Sequence, residues 1–137
     1  MITYQTDGVK MPTFSKRRIN VWIREVAKKY NFKVGEIAYI FCSDEKILEI
    51  NQEYLEHDYY TDIITFDYTE KKVISGDIFI SLDTVKSNSE QFETDYETEL
   101  YRILIHGILH LTGQKDKSPK DRAEMTKKED EALSMLF

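Results

Sequence analysis

The feature that most constrains this chain is the stretch from Glu97 to Leu111, which is apolar on nearly every side through Leu100, Ile103, Leu104, Ile105, Ile108, Leu109 and Leu111. A helix of that kind has no broad face to offer water, so it must lie at the centre of the fold with the rest of the chain wrapped around it. The wrapping has to come from 137 residues, the length of one ordinary domain, and a single domain over residues 1–137 is expected. Apolar residues make up 41% of the chain and aromatic residues 12%, enough to fill a core. With two prolines, five glycines and no linker-like or repetitive tract, nothing marks an interior boundary.

Around the central segment the periodicity changes from place to place. From Lys16 to Tyr30, Ile19, Trp22, Ile23, Val26 and Tyr30 fall at helical spacing with cations opposite, which predicts an amphipathic helix. Glu36 to Cys42 reads as a strand, and Ser43 as the cap of a second helix carrying Ile47, Leu48, Ile50 and Tyr54. Thr61–Tyr68 and Val73–Leu82 are rich in Ile, Phe, Thr and Tyr, and Lys71-Lys72 between them suggests a hairpin. Ser118-Pro119-Lys120-Asp121 supplies a cap, a first-turn proline and an acid for a last helix from about Pro119 to Leu136. The expected fold class is α+β, a small mixed sheet of about four strands with a buried central helix and flanking helices.

Charge and cysteine content narrow the function classes. Nineteen Lys and Arg against 25 Asp and Glu give a net charge of −6, the wrong sign for holding nucleic acid by bulk charge, so any such role must rest on a local site. The one cysteine, Cys42, forms no internal disulfide and fits a reducing compartment; it is expected to be buried and inert. No run approaches the ~18 apolar residues of a membrane helix, and the opening Met-Ile-Thr-Tyr-Gln is not a signal segment, so a soluble cytoplasmic protein without a membrane partner is expected.

Inside the apolar helix sit His106 and His110, four residues apart and therefore on one face, where two imidazoles can share one metal ion. Gly113 can end the helix through a left-handed turn that returns Asp116 towards the pair. Histidine, histidine and aspartate at relative positions 1, 5 and 11 have the spacing of the extended zincin motif. Zinc accepts nitrogen and carboxylate oxygen, and three protein ligands leave a fourth position for water, the mark of a catalytic site. The plainer alternative makes His106 and His110 core histidines, Gly113 a helix terminator and Asp116 a turn residue; if Asp116 alone is a turn residue, the third ligand must come from elsewhere, with His57 the only histidine left to supply it. A zincin protease carries its general-base glutamate at relative position 2, and here that position is Gly107. Hydrolysis at a metal stays open, while peptidase chemistry loses its base.

The string His106-Gly107-Ile108-Leu109-His110-Leu111-Thr112-Gly113 resembles the signature of the YbeY family, bacterial single-strand-specific metallo-endoribonucleases of ribosomal RNA maturation and ribosome quality control. Asn51-Gln52-Glu53-Tyr54, Thr61-Asp62-Ile63-Ile64-Thr65-Phe66 and Gly76-Asp77-Ile78-Phe79-Ile80-Ser81 resemble further family segments, so the likeness spans roughly residues 36 to 116. Two departures stand out. The family motif ends Gly-Tyr-Asp-His where this chain has Gly113-Gln114-Lys115-Asp116, which implies a mixed His, His, Asp centre one charge unit less positive than three imidazoles. The family's arginine after the tyrosine is here Leu55, so a phosphate-contacting cation is missing.

The resemblance implies an endoribonuclease cutting single-stranded or ribosomal RNA at the ribosome or its small subunit, with one Zn2+ or another divalent transition metal and no DNA partner. Arg102, four residues before His106, is the nearest substitute for the missing cation and the expected catalytic residue; an ion pair with Glu99 or another acid is its alternative role. Lys115, Lys117, Lys120 and Arg122 form a basic rim for an RNA backbone or simply a solvated helix start. Tyr59, Tyr60 and Tyr68 are candidate stacking residues or core aromatics, and Asp62 and Asp77 candidate acceptors for ligand imidazoles or turn residues. The rival functions are a metallopeptidase-like hydrolase and a ribosome-assembly binding protein whose metal is structural.

Overall fold

The structure, a computed structural model, describes residues 1–54 and 61–137. Along the chain run β1 (Ile2–Thr6), α1 (Lys16–Lys29), β2 (Lys33–Cys42), α2 (Asp44–Tyr54), β3 (Ile63–Asp67), β4 (Val73–Ser81), α3 (Leu82–Gln91), α4 (Tyr96–Leu111) and α5 (Pro119–Leu136). The sheet has the order β1-β2-β4-β3. β1 and β2 run parallel, as do β2 and β4, while β3 returns antiparallel on β4. The mixed α+β class is as expected from the sequence. Leu55, Glu56, His57, Asp58, Tyr59 and Tyr60 lie outside the described residues, and with them the roles considered for His57, Tyr59, Tyr60 and the Leu55 position.

Alternation along β4 shows how the sheet is covered. Ile74, Ile78 and Ile80 point to one face and join the main core with Ile37, Tyr39 and Phe41 of β2. Phe79 points to the other, where Cys42, Ile47, Ile50 and Ile64 form a smaller cluster under α2. The main face receives α4, whose Leu104, Ile105, Ile108 and Leu109 are fully buried. Burying each such side chain is worth about 1.5–3 kcal/mol. Tyr39, also fully buried, donates its hydroxyl to the Leu104 carbonyl at 2.8 Å and so ties the sheet to α4.

The caps of α2 and α5 fall where the sequence puts them. The hydroxyls of Ser43 and Ser118 accept from the Lys46 and Asp121 N–H groups at 3.3 and 3.0 Å, and Ser81 caps α3 by accepting from Thr84 N–H at 3.2 Å. Lys71 occupies the left-handed turn of the β3–β4 connection with φ 54°. Two elements are additional to those read from the sequence. β1 at the sheet edge is only five residues long with two of them exposed, so it carries little alternation. α3 is polar along most of its length, with Val85 and Ser89 as its buried residues.

The C-terminal helix is held from a distance. Trp22 of α1 donates its indole N–H to the Ala132 carbonyl at 2.8 Å, and Lys29 pairs with Glu131 at 3.1 Å. α5 thereby lies beside α4, its Met125, Glu129 and Leu133 turned inward. No helix among the described residues is long and apolar enough to cross a membrane.

Candidate metal centre

α4 sets the histidine pair. One turn of helix separates His106 from His110, and their rings meet edge to face with centroids 4.6 Å apart. The helix ends at Thr112, Gly113 takes φ 101°, and its N–H donates to the His110 carbonyl at 2.9 Å. That left-handed step, which a side chain would strain, turns the chain back on itself. Gln114 then anchors the turn: it is 8% exposed, its N–H reaches the Leu109 carbonyl at 3.1 Å, and its side-chain amide donates to the Lys115 carbonyl at 2.9 Å.

The result is a convergence of three side chains. Asp116 Oδ2 lies 3.3 Å from His106 Nε2 and 3.3 Å from His110 Nε2. The three residues offer ligand atoms that all fall within 4.8 Å of one another, the one such His, Cys, Asp or Glu group found among the described residues. A tetrahedral centre with ~2.0–2.2 Å bonds spaces its ligand atoms about 3.3–3.6 Å apart, so the two aspartate-to-imidazole separations already have the spacing of a filled site. Two neutral nitrogens and one carboxylate oxygen are a donor set that zinc and its neighbours in the first transition row accept. The residues fit a divalent metal.

A fourth side chain, which the sequence reading did not single out, completes the arrangement. Glu129 of α5 is 7% exposed and sets Oε2 2.6 Å from His106 Nδ1. A carboxylate only accepts, so the geometry assigns the proton to Nδ1 and leaves Nε2 with its lone pair directed at Asp116 and His110. Glu129 is held in turn by Arg102, whose Nη1 donates to Oε1 at 3.1 Å while Nη2 meets Asp130 at 2.9 Å. Arg102 is thus placed in an ion pair, the alternative weighed for it, though with Glu129 and Asp130 in place of Glu99; it also lines the cleft beside the centre.

Electrostatics separate the two histidines. Burial alone would lower the His106 pKa, but the hydrogen bond and charge of Glu129, with Asp62 and Asp116 behind it, carry it above the ordinary imidazole value. His110 goes the other way, lowered by burial and by the neighbouring His106, with Asp116 offsetting part of the fall. Asp62 is raised by its burial, with His106 opposing. Cys42, at 0% exposure, is pushed up to about 12 by burial first and by the nearby Asp7, and is inert as expected.

Two clefts open from the centre. One, about 390 Å3, lies along β3 between Thr61, Ile63, Thr65, Asp67 and His110; the other, about 500 Å3, lies between α3, α4 and α5. Asp62 and Asp116 stand in both. Asp77, by contrast, accepts from the exposed Tyr68 hydroxyl at 3.3 Å, so neither is drawn into the imidazole pair. Of the basic rim, Arg122 lines the larger cleft and donates from Nη1 to the Lys117 carbonyl at 2.7 Å, while Lys115, Lys117 and Lys120 are exposed. Nothing in an i, i+4 reading points to Glu129, because its nearness to His106 depends on how α5 docks.

Removing the Glu129 carboxylate tests that contact. Glu129→Ala is expected to weaken metal affinity by about 10–100-fold, the usual effect of losing an outer partner of a ligand imidazole, and to leave Arg102 facing Asp130 alone. Competition with a chromogenic chelator measures it. An affinity equal to that of the unaltered protein would reduce Glu129 to a packing residue.

The comparisons with known proteins agree on one family. The sequence model of the family described as Endoribonuclease YbeY matches residues 1–136. The chain is 62% identical over 136 residues to a protein of Phocaeicola vulgatus named endoribonuclease YbeY, covering 99% of each. It is 60% identical over 134 residues to one of that name from Bacteroides thetaiotaomicron, covering 98% of each. Among solved structures, the solution structure of TM1509 from Thermotoga maritima superposes with a TM-score of 0.70 at 30% identity, covering 99% of this chain and 89% of that one.

Proposed function

The chain belongs to the YbeY family, and from that premise we propose that it is an endoribonuclease of ribosomal RNA processing that hydrolyses single-stranded RNA at a divalent metal held by His106, His110 and Asp116. The observation that carries the site is the placement of Asp116 Oδ2 at 3.3 Å from both imidazole Nε2 atoms. We assign the metal as zinc on its donor set of two imidazoles and one carboxylate, and place the protein's work in the cytoplasm, on the ribosome or its small subunit. Such an ion, when bound, supplies a Lewis acid for a phosphoryl oxygen and lowers the pKa of a water beside it.

The chain's own residues do the remainder. Glu129 fixes the tautomer and plane of His106, and Arg102 steadies Glu129. Arg102 also lines the cleft at the centre, where its guanidinium can meet a phosphoryl oxygen only in competition with the two acids it already pairs with. Asp62, in both cleft walls and raised by burial, stands where a proton can be taken or given within the site.

A peptidase reading fits the geometry less well. A Cβ on Gly107 would lie 3.0 Å from Ile78 Cδ1 and 3.3 Å from Ile63 Cδ1, so the position that carries a protease's glutamate faces the sheet. Metal content measured beside cleavage of single-stranded RNA and of a peptide pool distinguishes the readings. The expected result is about one ion per chain, RNA cleavage abolished by chelator and restored by zinc, and intact peptides. RNA cleavage unaffected by complete metal removal would refute the proposal, and a bound metal without any cleavage would favour the structural-metal alternative.

Asp116→Ala is expected to weaken metal binding by more than the 10–100-fold typical of an outer-shell change, because two histidines seldom hold zinc alone. Isothermal titration with zinc reads it; unchanged affinity would make Asp116 a turn residue. RNA binding should depend on few cations, given the net charge of −6. The slope of log affinity against log salt is therefore expected to be no steeper than about −3, the value for roughly four contacts to a single strand. A slope twice as steep would indicate an extended basic track.

A further inference from the structure

The larger cleft has a chemistry of its own. It is continuous with the metal-ligand triad, since His106 and Asp116 form part of its wall, and its volume of about 500 Å3 is within the range of small-ligand pockets. Away from the triad polar side chains alternate with an apolar patch, in which Val85, Ile103 and Met125 are buried. Phe92 stands at the edge and is 61% exposed.

Phe92 is not carried on a loose loop. It is the C-cap of α3, its N–H bonded to the Asn88 carbonyl at 2.9 Å, and Glu93 after it takes φ 53°. Thr94 closes the turn, its N–H on the Ser89 carbonyl and its hydroxyl on Glu99 Oε1, both at 2.9 Å. An aromatic ring is therefore presented to the cleft mouth on a backbone fixed at three points.

The charges of the cleft decide what part of a nucleotide it suits. Four carboxylates, Glu99, Glu129, Asp62 and Asp116, line it against two arginines, of which Arg102 is already shared between Glu129 and Asp130 and Arg122 donates to the Lys117 carbonyl. A second phosphate would meet mostly carboxylates there. A neutral, flat group with polar edges fits instead: the Phe92 ring gives it a stacking surface, the Asn88 amide offers both a donor and an acceptor, and Glu99 keeps a second oxygen for an N–H.

We infer that the cleft between α3, α4 and α5 receives a nucleobase of the RNA strand, stacked on Phe92, next to the phosphate that lies at the metal centre. The inference rests on the nuclease reading given above. The chemical class of the ligand is a nucleobase attached to a phosphorylated ribose, and the base supplies the part of the affinity that the acidic surface denies to further phosphates.

The test uses metal-loaded protein titrated by calorimetry with adenosine 5′-monophosphate, ribose 5-phosphate and inorganic phosphate. The unaltered protein is expected to bind the nucleotide about tenfold tighter than ribose 5-phosphate, within the span of one stacked base. Phe92→Ala, an exposed position whose loss leaves the core intact, should bring the two within about twofold and leave phosphate binding alone, while Phe92→Trp keeps the preference. In single-stranded RNA cleavage Phe92→Ala should raise KM with kcat little changed. Equal affinity for the nucleotide and ribose 5-phosphate, or a preference that survives Phe92→Ala, overturns the inference even if RNA is cleaved. A metal-loaded protein that cleaves no single-stranded RNA overturns the nuclease reading, and this one with it.

Discussion

His110→Ala is expected to reduce the metal content of the purified protein to background and to lower RNA cleavage by about a thousandfold or more, since a bound cation supplies several kcal/mol of transition-state stabilisation and each 1.36 kcal/mol is a factor of ten. His106→Ala should do the same, but it also strands the buried Glu129 with Arg102 as its remaining partner, so His110→Ala is the cleaner variant. Its imidazole is partly exposed and adds little to the core, and far-ultraviolet circular dichroism should be unchanged. The unaltered protein at a metal concentration one hundred times its Kd gains about 2.7 kcal/mol over the stripped form, a difference His110→Ala should erase. Wild-type metal occupancy in His110→Ala would remove the histidine pair from the centre.

The second large effect is on folding. Gly107→Glu is expected to cost about 3–5 kcal/mol or more, because the new side chain is driven against the apolar Ile78 and Ile63 side chains of the sheet. Against a typical total of about 5–15 kcal/mol, this should lower Tm by roughly 10–20 °C or prevent folding altogether. Gly107→Ala is the control: the added methyl sits at 3.0–3.3 Å from two flexible isoleucine side chains, a squeeze partly offset by better helix propensity. Thermal melts separate the two variants. A Gly107→Glu protein as stable as its parent would show that position 107 opens to solvent, and the peptidase reading would regain its missing base.

The outcome of the sequence reading divides along the range of the interactions involved. α4, the histidine pair and the cap of α5 were legible because each depends on residues within about four positions of one another. The return of Asp116 was legible as a possibility, since Gly113 permits the turn; what fixes it is the buried Gln114, whose backbone N–H donates to the Leu109 carbonyl and whose side-chain amide donates to the Lys115 carbonyl, contacts no periodicity announces. Glu129 reads as one more charge on a helix rich in them, and its burial against His106 follows from tertiary packing alone. Arg102 was legible as a cation on the right face, but its engagement with Glu129 and Asp130 was not, for the same reason. β1 escaped because a strand of five residues, two of them exposed, owes its existence to its parallel partner β2 more than to its own sequence.

The docking of α5 has a consequence for the order in which the site comes into being. His106 depends on Glu129, 23 positions later, and the helix that carries Glu129 is gripped by Trp22 through the Ala132 carbonyl, 110 positions away. A chain made from its N-terminus presents the sheet and the histidine helix before the carboxylate that orients His106. Until α5 settles between α1 and α4, the imidazole is free to turn and either ring nitrogen can carry the proton. Ligand geometry is thus acquired after the histidine helix is made, when two segments far apart in the sequence meet.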